Sequence, residues 1–140
     1  MTGGRFAMHR FLPILTLMIA CVHASSSLAD LDRATVEAIK SATVYIEVLN
    51  MADDGSQEQA TGSGFVIDPR GRVLTNQHVI DARIEVSPNR YVPATEQRVT
   101  VYFHRATPRE EAYEATVIKA HESADLALLQ LPPGNYPSLS

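Results

Sequence analysis

Apolar and polar residues alternate with a period of two over residues 43–48. Val44, Ile46 and Val48 fall on one side, and Thr43, Tyr45 and Glu47 on the other. Successive side chains of a strand point to opposite faces, so this pattern predicts a half-buried strand. The same test predicts strands at 62–68, 72–75, 99–103, 113–120 and 126–131, the last apolar on both faces. Ahead of them the period is helical. Leu31, Thr35, Ala38 and Ala42 lie near one face with Val36 and Ile39 beside them, and Asp30 or Asp32 can cap, so 30–42 is predicted as a short N-terminal helix.

The breaks between these elements carry their own signals. Residues 50–59 have the Asp, Gly, Ser and Gln content of a solvated loop. Asp68-Pro69-Arg70-Gly71 suits a type I turn joining two strands, because proline presets φ at the second position. Residues 83–98, with Pro88, Asn89 and Pro93, read as a long loop, and 104–111 as a charged hairpin tip. Pro132 and Pro133 cannot give an N–H to a ladder, so 132–140 reads as the start of a linker. Six short strands with little helix predict an all-β body, an antiparallel barrel or a sandwich.

The residues before this body differ in kind. Up to Asp30, the first acidic residue, the side-chain charges are Arg5 and Arg10. An apolar run over 11–20 and small residues up to Ala29 follow, which reads as a signal peptide over 1–29 and predicts a periplasmic or secreted protein. Cleavage after Ala24 is an alternative. Ala20-Cys21 could be a lipoprotein processing site, but Met18 stands where a Leu-like residue is wanted, so a lipid anchor at Cys21 is disfavoured. The apolar run falls short of the roughly 20 residues that span a bilayer. With 12 Lys and Arg against 16 Asp and Glu, a net charge of −4 argues against a nucleic-acid partner. The single cysteine excludes an intrachain disulfide and a thiolate-rich zinc site.

Chemistry concentrates in two places. Thr61-Gly62-Ser63-Gly64-Phe65-Val66-Ile67 leads to Val73-Leu74-Thr75-Asn76-Gln77-His78-Val79-Ile80, and Ala124-Asp125-Leu126-Ala127-Leu128-Leu129-Gln130-Leu131 follows later. A serine hydroxyl attacks only if a base takes its proton, and a neutral imidazole suits that task. A carboxylate on the other ring nitrogen fixes the tautomer. Together these segments resemble the trypsin-fold serine peptidases, most closely the HtrA-like branch. There a Gly-Ser-Gly-Phe strand, a Leu-Thr-Asn-x-His-Val turn and an Asp-Leu-Ala-Leu-Leu strand recur in this order. The resemblance covers about residues 42–131. It implies a six-stranded antiparallel Greek-key barrel over 43–131, with His78 as general base and Asp125 as its orienting partner. It also implies proteolysis of peptide or unfolded protein substrates through a Ser-His-Asp triad, without cofactor or metal, in a protein that forms a homo-oligomer when intact. The order His then Asp agrees with the chymotrypsin type.

The family's nucleophile lies in a Gly-x-Ser-Gly-Gly string, which these 140 residues lack. Ser63 has Thr61 two positions before it and Phe65 two after, and reads instead as a tight bend with close backbone approach. Ser123, Ser138 and Ser140 also lack the glycines. The sequence is therefore expected to be the N-terminal half of a serine endopeptidase, with the second barrel missing, inactive alone and prone to self-association through an uncovered apolar face. The alternative is a non-catalytic trypsin-fold binding module. His104, His121, Glu122 and Asp125 have no His-Glu-x-x-His spacing and read as solvated loop rather than metal ligands. Glu110, Glu111 and Glu114 read as an exposed charge cluster, and Gly62-Ser63-Gly64 precedes no helix that would make it a dinucleotide loop.

Overall fold

The computed structural model describes residues 32–139. Residues 1–29, where a signal peptide is expected, lie outside the described residues, as do Cys21 and Ser140.

Helix α1 (Arg33–Ala42) begins where the Asp32 carboxylate accepts the Thr35 N–H at 2.7 Å. Its predicted apolar face is mostly uncovered: Val36 is half-buried, Ile39 is exposed, and Ala42 alone in the helix is buried. From Thr43 onward the chain is strand. β1 (Thr43–Met51), β2 (Gln57–Val66), β3 (Arg72–Thr75), β6 (Glu96–Phe103), β7 (Glu111–His121) and β8 (Leu126–Gln130) close an antiparallel barrel in the order β1-β2-β3-β8-β7-β6. After three successive strands the chain returns to lay β6 beside β1, which is Greek-key order. Closure gives every barrel strand a neighbour on both sides, although β2 meets β3 only over 64–66.

Two stretches differ from the sequence reading. Residues 83–98 are not a loop but chiefly a hairpin, β4 (Arg83–Ser87) and β5 (Arg90–Pro93), before β6 begins at Glu96. Its turn places Asn89 at φ 62°, a conformation asparagine tolerates, and buries Ile84 almost completely. The prolines at 88 and 93 masked a short alternation that Ile84 and Val86 carry. The polar stretch 50–59 is strand at both ends, and the expected loop shrinks to 52–56. β1 and β2 continue their register to Met51 and Gln57, and a tight turn with Gly55 at φ 84° joins them. The polar residues of 51–59 are exposed or half-buried, because these arms extend past the core, and Asn50 is the buried exception.

The turn after β2 follows its chemistry. The Gly71 N–H bonds the Asp68 carbonyl at 3.1 Å, Gly71 takes φ 83°, and the Asp68 carboxylate accepts the N–H of Arg70 and pairs with Arg72. Inside the barrel, Val44, Ile46, Val48, Val66, Val73, Val99, Val101, Phe103 and Leu129 form one apolar cluster. Each fully buried aliphatic side chain contributes about 1.5–3 kcal/mol. Residues 132–139 lie along the barrel: the Tyr136 ring stacks on Phe103 at 5.8 Å and meets Tyr113 edge-on at 5.3 Å, and the Leu139 N–H bonds the Val66 carbonyl. Among the described residues no helix is long and apolar enough to cross a membrane.

Candidate active site

β3 ends at Thr75, whose hydroxyl is turned inward and donates to the Ser63 carbonyl at 2.8 Å. Asn76 is still extended, and a single 3₁₀ turn, Gln77–Ile80, follows. Val79 and Ile80 drive their side chains into the core, at 5% and 6% exposure, while the His78 side chain stands 69% exposed. The apolar pair anchors the turn and its geometry aims the imidazole outward. Gly62 makes this seat possible, because a Cβ there would lie 2.5 Å from a Val79 methyl. A Cβ at Gly64 would meet the Leu74 carbonyl oxygen at 2.8 Å. The glycines around Ser63 thus answer to close packing, at Gly64 by the expected backbone approach, but the expected bend is absent: β2 keeps its register with β1 through Ser63.

Asp125 arrives from the other side. A 3₁₀ turn, Glu122–Ala124, is capped by His121, whose Nδ1 accepts the Ala124 N–H at 3.2 Å. Asp125 then adopts the left-handed conformation, φ 48° and ψ 47°, and its N–H bonds the Glu122 carbonyl. Aspartate is among the few residues that occupy this region without severe cost. β8 starts at the next residue. Since β3 and β8 are antiparallel neighbours with Thr75 opposite Ala127, the residues just past the end of one and just before the start of the other must meet.

They do meet. His78 Nδ1 lies 2.8 Å from Asp125 Oδ2 and 3.0 Å from Oδ1, across 47 positions of sequence. The His78 backbone N–H donates to Oδ1 at 3.0 Å. Asn76 Nδ2 adds bonds to Oδ2 and to the Asp125 carbonyl, each at 3.2 Å. That backbone N–H first, then the His78 ring and the Asn76 amide, hold the Asp125 carboxyl below the usual carboxylate range, against the opposing effect of burial. An ionised Asp125 requires the proton of the imidazole on Nδ1, which leaves the Nε2 lone pair available as a base.

The two residues singled out from sequence are therefore brought together. The other candidates are not joined to them. His121 caps the turn before Asp125, its Nδ1 3.3 Å from the Ser123 hydroxyl, and Glu110 pairs with Arg105. Among the described residues no three His, Cys, Asp or Glu side chains converge as a metal-binding group. Asn76 joins the pair as a functional residue that the motif contains without marking; its signal in the sequence is an amide at the strand end beside the histidine.

The chain's likeness to known proteins runs through the same region. The family model for a trypsin-like peptidase domain matches residues 62–140. Serine protease HTRA1 of Xenopus tropicalis is 31% identical over 98 residues, which is 69% of this chain and 18% of that protein. Its counterpart in Xenopus laevis is 30% identical over 98 residues, again 69% and 18%. The match thus spans less than a fifth of either relative's length.

Proposed function

Because this chain belongs to the trypsin-like peptidase family, in its HtrA-like branch, we propose that His78 and Asp125 are the base and orienting carboxylate of an exported serine endopeptidase acting on peptides or unfolded proteins. The observation that carries the reading is the 2.8 Å contact between His78 Nδ1 and Asp125 Oδ2. With Nδ1–H donated to the carboxylate, Nε2 takes the proton of a serine hydroxyl as its oxygen attacks the peptide carbonyl. The imidazolium so formed is stabilised by Asp125, which stays ionised, and Nε2–H then protonates the leaving amine. Export rests on the basic and apolar pattern of residues 1–29.

The nucleophile is not a Gly-x-Ser-Gly-Gly serine of these 140 residues, since none occurs. The 140-residue chain alone should therefore neither hydrolyse casein nor take a fluorophosphonate label on serine. In the complete product of the gene, His78→Ala or Asp125→Asn should lower kcat/KM on the order of 10⁴-fold while the protein stays folded. A loss below tenfold for His78→Ala would overturn the assignment. The alternative reading is a trypsin-fold binding module. The coding frame past codon 140 separates them: a downstream Gly-x-Ser-Gly-Gly string supports the peptidase, a stop codon the binding module.

A further inference from the structure

A polar pair inside the barrel wall bears on the same histidine from behind. Asn50 is 1% exposed, near the end of β1, where the inward positions 44, 46 and 48 are all aliphatic. Its Nδ2 donates to the Asp81 carbonyl at 2.7 Å. Gln97, its direct neighbour on β6, donates from Nε2 to Asn50 Oδ1 at 3.0 Å and to the Ile80 carbonyl at 3.0 Å. The two carbonyls so held are those of the last residue of the His78 turn and of the residue after it.

We infer that Asn50 and Gln97 are positioning residues for His78, two amides on adjacent strands that clamp the exit of the turn carrying it and so set where the imidazole stands against Asp125. The physical case rests on cost and alternatives. A buried amide left unsatisfied costs stability, whereas an aliphatic side chain would fill the site at no such risk, so a polar pair joined to each other and to two backbone carbonyls at this place serves geometry rather than burial. Val79 and Ile80 fix the depth of the turn through nondirectional apolar contact. The two amides add direction, since each bond is oriented by a planar group rooted in a paired strand. The turn is thus held at both ends: Asn76 ties its start to Asp125, and the Asn50–Gln97 pair ties its exit to β1 and β6.

The functional meaning of this clamp rests on the peptidase reading, but its test does not need peptidase activity. The readout is the His78 Nδ1–H proton in the NMR spectrum of the 140-residue chain and its rate of exchange with water. In Asn50→Leu, which keeps the branched heavy-atom skeleton and loses both bonds, that exchange should accelerate at least tenfold, with the His104 and His121 signals unmoved. Gln97 is only half-buried, so Gln97→Met serves if Asn50→Leu does not fold, and it should accelerate exchange at least threefold. A core truncation on the same strand, Val99→Ala, is the control for a merely structural effect. At a matched loss of thermal stability it should leave the His78 proton within twofold of wild type. Exchange within twofold of wild type in a folded Asn50→Leu or Gln97→Met, or equal acceleration in Val99→Ala, overturns the inference. Failure of the complete gene product to cleave peptides would sink the peptidase reading and leave the clamp standing.

Discussion

Asp125 occupies a backbone conformation that most side chains avoid, and the groups around it show why it stays there. Its own N–H closes the preceding turn and its carboxylate gathers three donors from Asn76 and His78. Asp32, Asp54, Asp68 and Glu110 are likewise held below their ordinary ionisation range: Asp32 and Glu110 first by the backbone N–H groups of Thr35 and Ala106, Asp54 by the Ser56 hydroxyl and N–H, and Asp68, against the opposing effect of burial, by the Arg72 side chain. The sign follows from linkage. With folded values below the usual 3.8 of an aspartate, the unfolded chain binds protons first as the pH falls. Stability should therefore be level above about pH 5 and decline below it. Urea unfolding at pH 7, 5 and 3 checks this, and Asp125→Asn should flatten the acid limb; stability that rose towards pH 3 would contradict it. His78 and Asp125 were legible as a pair through the strings that surround them. Asn50 was half legible: extending the period of two from Val48 by one step places an amide on the inward face, but the sequence reading stopped the strand early. Its partner Gln97 had no local signal, because nothing in residues 96–98 says which strand lies beside them.

At the scale of the element, the sequence was most readable where backbone chemistry is local. Asp68-Pro69-Arg70-Gly71 turned as its residues require, and Asp32 capped α1. Gly62 and Gly64 are a different case, since their reason lies in what touches them. Adding a methyl at Gly64 drives it against a backbone oxygen of the neighbouring strand, which cannot move without breaking the β2–β3 ladder. At Gly62 the obstacle is the Val79 side chain, which can turn aside only by disturbing the seat of His78. Gly64→Ala should therefore cost about 1–3 kcal/mol in denaturant unfolding, and Gly62→Ala less. Gly62→Ala should instead shift the His78 ring resonances while leaving His104 in place. The hairpin β4–β5 escaped the sequence reading because each arm is four or five residues long, too short for a period to stand out between prolines.

For the whole molecule, closing the barrel leaves an outward apolar stripe. Phe65 on β2 faces Leu74 on β3, Leu74 faces Leu128 on β8, and Leu126 and Ile118 stand exposed nearby. The 140-residue chain should self-associate through this stripe, showing a concentration-dependent sedimentation coefficient that Phe65→Ser together with Leu126→Ser reduces towards the monomer value. A monomer at high concentration in the unmodified chain would remove the stripe as an association surface.

Alternation, turn residues and three motif strings settled by themselves that this chain builds short strands, where most of them run, and which imidazole and carboxylate to watch, since each is a property of neighbours along the backbone. Which strand lies beside which, that the sheet closes instead of stacking as a sandwich, that the glycines flanking Ser63 yield to Val79 and to the Leu74 carbonyl, and that Asn50 and Gln97 reach the turn behind His78 were decided only in three dimensions. A strand's period says which of its faces is buried but not what buries it. Pairing is chosen by how the ladders close and the aliphatic side chains fill one interior, a balance summed over residues far apart in the chain.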